Sequence, residues 1–70
     1  MKLCYGYEIA NKSGKDAITI FKTLERAREE AEKQVDKLAD DETMILFSAP
    51  ADEDGKLASN RFSIIDAWGK

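Results

Sequence analysis

The chain has 70 residues, with 11 Lys and Arg against 14 Asp and Glu, a net charge of −3, no histidine and one cysteine. A chain of this length buries only about 60% of the surface it exposes when unfolded, so a single domain (residues 1–70) with a thin stability margin is expected. One thiol without an imidazole excludes an internal disulfide, a zinc site of the usual kind and a Cys–His nucleophile, and the negative balance disfavours nucleic acid as a partner, because phosphate binding needs a positive surface.

From Leu3 to Ala10 the residues alternate, with Leu3, Tyr5, Tyr7 and Ile9 on one side and Cys4, Gly6, Glu8 and Ala10 on the other. That is the period of a strand. Asn11-Lys12-Ser13-Gly14-Lys15-Asp16 is a turn cluster, with Gly14 able to take positive φ. Ala17 to Lys22 reads as the returning strand and carries bulk on both sides, Thr19 and Phe21 on one, Ile18 and Ile20 on the other.

Thr23 is the expected N-cap of a helix running to about Ala39, since its hydroxyl can accept from a free N–H of the first turn. Glu25 suits the positive end of the helix dipole, and Asp40-Asp41-Glu42 suits the negative end poorly and should terminate it. Leu24, Ala27, Ala31, Val35 and Leu38 fall in one narrow sector at the helical step, so this stripe must bury against something. Thr43 to Ala49 is the third strand, Pro50 to Asn60 a polar connection with a turn at Asp54-Gly55, and Arg61 to Trp68 the fourth strand. In that last strand the alternation groups Phe62, Ile64 and Trp68, with Asp66 breaking the series.

The order strand, strand, helix, strand, strand predicts an α+β fold, ββαββ, in which one helix packs on one face of a four-stranded, mostly antiparallel sheet. One helix covers only one face. Some of Ile18, Ile20, Met44, Leu46 and Ile65 should therefore remain on the far face, covered either by the Pro50–Asn60 connection or by a second copy or another protein. No segment approaches the roughly 20 apolar residues that cross a bilayer, so no membrane role is expected. Met1-Lys2-Leu3-Cys4-Tyr5 does not read as a signal peptide, and a reducing, cytoplasmic setting is expected.

Reactive constellations are hard to find. Asp52-Glu53-Asp54-Gly55 matches a fragment of a calcium loop, but Pro50 stands where the first ligand would be, so a solvated turn is expected and no metal. Cys4 lacks a base and reads as a small buried residue of the first strand. Tyr5, Tyr7, Phe62 and Trp68 could form a stacking platform for single strands only beside a basic groove, whereas Lys2, Lys12, Lys15, Lys22, Lys56, Arg61 and Lys70 are scattered. Most of these aromatics are expected in the core. No catalytic residue and no cofactor-binding residue is assigned, and the chain is not expected to be an enzyme.

What remains is surface. Glu25, Glu29, Glu32 and Asp36, spaced 4, 3 and 4 apart, form an acidic flank beside the apolar stripe, with Arg26, Lys33 and Lys37 on another flank. Together with Trp68, these acids are the candidate partner-binding residues, suited to a protein with a basic surface. The layout, in which a hairpin ending in Phe21-Lys22-Thr23-Leu24-Glu25-Arg26-Ala27 is followed by a charged helix and a second hairpin, resembles that of small phage and bacterial proteins. Phage-encoded inhibitors of bacterial defence systems are similarly compact and acidic. The layout identifies no family and transfers no functional residue; small size, the missing catalytic set, two-sided strands and the acidic flank make a non-enzymatic interaction protein the expectation, with an inhibitor of a host defence protein, of anti-CRISPR type, as its most concrete version. A structural homodimer or small subunit that pairs sheets or sheet edges is the alternative, and a weak nucleic-acid binder a further one.

Overall fold

The computed structural model describes residues 2–14, 16–59 and 61–69. Lys15 in the first turn, Asn60 at the end of the long connection and Lys70 among the scattered cations lie outside the described residues. The elements are β1 (Leu3–Asn11), β2 (Asp16–Phe21), α1 (Leu24–Val35), β3 (Glu42–Pro50) and β4 (Ser63–Gly69). The four strands form one antiparallel sheet in the order β2-β1-β3-β4, with α1 on one face, which is the expected ββαββ fold.

The first turn closes as its composition suggests. Gly14 takes φ 83°, its N–H donates to the Asn11 carbonyl at 3.0 Å, and the Asn11 side-chain oxygen accepts from Ser13 N–H at 3.0 Å. Thr23 is the N-cap in extended conformation, its Oγ1 accepting from Arg26 N–H at 3.3 Å. The helix stops at Val35, one turn short of the expected Ala39. The reason is the return path. β3 begins at Glu42, so a helix reaching Ala39 would leave two residues to reverse the chain. Instead Lys37 and Leu38 donate to the carbonyls of Gln34 and Val35, tightening the end into a narrower turn. Glu42 closes the reversal, its carboxylate accepting from Ala39 N–H at 2.7 Å and its own N–H donating to the Ala39 carbonyl. Leu38 still reaches the core from this turn.

Two apolar clusters lie on the two faces of the sheet. Under the helix, Ala27, Ala31 and Leu38 pack on Tyr7, Met44 and Leu46, with Tyr5, Ile9, Phe21, Leu24, Val35 and Trp68 at the margin. Ala27 and Ala31 are fully buried, and their small side chains allow the helix to sit close to the strands. The far face holds Cys4, Phe47 and Ala49, edged by Ile20, Ile45, Ala51, Leu57 and Phe62. Met44 and Leu46 thus belong under the helix and not on the far face. Phe47 takes the far-face position instead, since alternation along β3 puts Ile45, Phe47 and Ala49 opposite to Met44 and Leu46.

β4 also differs from its simple alternation. Its register with β3 shifts between Leu46 and Phe47: Leu46 faces Asp66, Phe47 faces Ile64, and Ile65 is the extra residue of a bulge. Trp68 therefore lies on the helix side, opposite Met44, while Phe62 lies on the far face. There its ring stacks on Phe47 with centroids 4.1 Å apart. The connection, over residues 50–59, supplies the rest of the far-face cover. It forms a small hairpin of its own, with Ala51 bridging Leu57, Gly55 at φ 82°, and Asp52 Oδ1 accepting from the N–H groups of Asp54 and Lys56. Ile18 and Ile64, 43% and 65% exposed, remain open on this side.

Candidate functional site

The helix covers β1, β3 and β2 and leaves the helix-side face of β4, an edge strand, largely open. Across that opening Arg28 Nη1 reaches Asp66 Oδ2 at 3.4 Å, the ion pair that ties helix to β4. Both side chains are over 40% exposed, so its contribution to stability is small, below about 1 kcal/mol. Its value here is geometric. Arg28 fixes which side of the helix faces β4.

At about 100° per residue, Glu25, Glu29, Glu32 and Asp36 follow Arg28 around the helix on that same side. Glu30 and Arg26 lie on the opposite side, toward β2, and pair with each other at 3.5 Å. All four acids predicted from the sequence are exposed. Glu29 reaches Lys33 Nζ at 3.9 Å, a contact shared with Glu30 at 3.4 Å. The acidic flank therefore rises along the β4 side of the molecule. At its N-terminal end lies an open hollow of about 510 Å³ lined by Thr23, Leu24, Glu25 and Arg28.

Trp68 is on the same side. It stands on the helix-facing side of β4, half-buried, with part of its surface packed against the core under the helix. It is thus a fixed ledge beside the helix, not a free projection. Sequence reasoning brought together the acids and Trp68 but missed Arg28 and Asp66, which connect them. The signal was present in part, because Asp66 interrupts an apolar strand, yet its partner lies 38 residues earlier in the chain.

Other polar groups are arranged as supports. At the start of β1, Lys2 Nζ donates to the Glu53 carbonyl at 3.3 Å, and with Lys22 and Asp54 it borders an open hollow of about 320 Å³. Cys4, at its floor, is 1% exposed with its sulfur 4.0 Å from the Pro50 carbonyl. Among the described residues no set of three or more Cys, Asp or Glu is placed to hold a metal ion, and no helix is long and apolar enough to cross a membrane. What the α1–β4 side offers is contact: carboxylates in water beside an anchored indole. In comparisons with known proteins, the chain matches no family model, no curated protein and no solved structure.

Proposed function

We propose that this chain is a non-enzymatic protein-interaction module that docks its α1–β4 side on a partner with a basic surface. One observation carries the reading. Four exposed carboxylates, Glu25, Glu29, Glu32 and Asp36, lie on the side of the helix where the half-buried Trp68 is held. Aligned acids raise the encounter rate with a basic surface, and an indole already ordered by packing loses little freedom when a partner covers it. Trp is also the residue type most favoured as a binding anchor.

A stable interface takes about 800 Å² from each partner. One side of a molecule exposing 4865 Å² supplies that area. Acting by coverage, such a module would block what lies beneath it. Inhibition of a host defence protein by a product of a phage or other mobile element, in the anti-CRISPR manner, is the most concrete form of this reading. The lone buried thiol suits a reducing cytoplasmic setting.

The test is affinity capture from host lysate at low salt, using the parent chain, a quadruple variant with Glu25, Glu29, Glu32 and Asp36 changed to lysine, and Trp68→Ala. A specific partner should be held by the parent, lost by the charge-reversed chain and weakened by Trp68→Ala, with circular dichroism confirming that all three are folded. Retention of the partner by both variants at parental affinity would place the contact elsewhere.

A further inference from the structure

The two edges of the sheet are built differently. β4 carries the bulge at Ile65 and a charged residue, Asp66, directed toward the helix side. Both are devices by which edge strands resist pairing with another chain. β2 has neither. Its register with β1 is unbroken from Ala10–Asp16 to Tyr5–Phe21, and its outer edge carries Ala17-Ile18-Thr19-Ile20-Phe21 without charge, proline or glycine. From Asp16 to Thr19 every residue is exposed.

We propose that β2 is the interface at which two copies of this chain pair antiparallel, with Thr19 opposite its own twin. Directly opposed residues in an antiparallel ladder share the same hydrogen-bonding phase, so a strand meeting its copy along the same edge must centre on a residue. Centring on Ile18 sets Asp16 against Ile20, and centring on Ile20 sets Lys22 against Ile18. Centring on Thr19 sets Asp16 against Lys22, the residue just after the strand, at both ends of the ladder. Opposite charges then face each other twice across strands, and the ladder is as long as the segment allows.

Antiparallel pairing of this kind places the two-fold axis along the sheet normal, so each face continues across the junction. Ile18 meets Ile20 of the second copy on the far face, where Ile18 is 43% exposed. Thr19 meets Thr19, and Ala17 meets Phe21, on the helix face. The placement of the acidic flank favours the same edge. It lies on the β4 side, so pairing through β2 keeps the two negative ridges at opposite margins, whereas pairing through β4 would bring them together. This inference is independent of the docking reading, because it concerns the chain alone.

The experiment is sedimentation velocity on the full chain at low salt, from low to high micromolar concentration. A reversible dimer in the micromolar range is expected. Asp16→Lys and Lys22→Asp should each weaken it about tenfold, since each turns two cross-strand attractions into repulsions. An equimolar mixture of the two variants should associate as tightly as the parent, because the mixed pair regains both opposite-charge contacts. If circular dichroism shows either variant unfolded, Thr19→Lys serves instead; it sets two ammonium groups face to face at the centre and should leave a monomer. A parent that stays monomeric throughout, a dimer indifferent to these changes, or a mixture of folded variants that fails to regain affinity would overturn the proposal.

Discussion

Gly6 shows how a single position can decide the packing of a face. It lies in β1 between Ile20 of β2 and Phe47 of β3, and a β-carbon there would fall 3.0 Å from Phe47 Cζ and against the Thr19 carbonyl. The absent side chain leaves room for the Phe47 ring beside Gly6, and Phe62 stacks on that ring in turn. Backbone cannot step aside as a side-chain tip can, so Gly6→Ala is expected to destabilise the fold by about 2 kcal/mol or more. The urea midpoint should fall with little change in slope. The sequence marked Gly6 as a lone glycine within a strand. It could not show which atoms crowd it, because Thr19 and Phe47 reach it only through pairings 13 and 41 residues away in the chain.

At the scale of elements, α1 is 12 residues long, a length at which an isolated helix in water is marginal. Its stability comes from burial of Ala27 and Ala31 and from its cap. Thr23→Ala should cost about 1 kcal/mol in chemical denaturation, and Thr23→Asp should restore most of it, because either side chain supplies the acceptor for Arg26 N–H. Entry into the helix was legible in Thr23-Leu24-Glu25 because capping is a local interaction. The exit was not, since the stop at Val35 is set by where β3 must begin. β4 was read wrongly for a related reason. A bulge at Ile65 changes which face Phe62 and Ile64 occupy, and no feature of Phe62-Ser63-Ile64-Ile65 alone signals it; the irregularity exists only against β3. Met44 and Leu46 were likewise assignable to one shared face by alternation, but which face the helix covers is a tertiary choice.

For the whole molecule, the placement of charge matters more than its sum. A net charge of −3 is small, yet Glu25, Glu29, Glu32 and Asp36 occupy one margin while the opposite flank carries the Arg26–Glu30 pair. Binding through the acidic margin should weaken as salt rises, chiefly through a slower association rate, which stopped-flow measurement of Trp68 fluorescence would follow; the chain has one tryptophan. The acidic flank was legible from spacing alone, because helical periodicity fixes it. Its position beside Trp68 required the Arg28–Asp66 contact. The single thiol borders an open hollow yet is only 1% exposed, its sulfur near the Pro50 carbonyl, and this has a different consequence. Alkylating reagents can reach Cys4 only when the sheet opens, so the native chain contains its own stopwatch for unfolding, and where opening and reclosing outpace the reagent, each 1.4 kcal/mol of added stability should slow alkylation about tenfold.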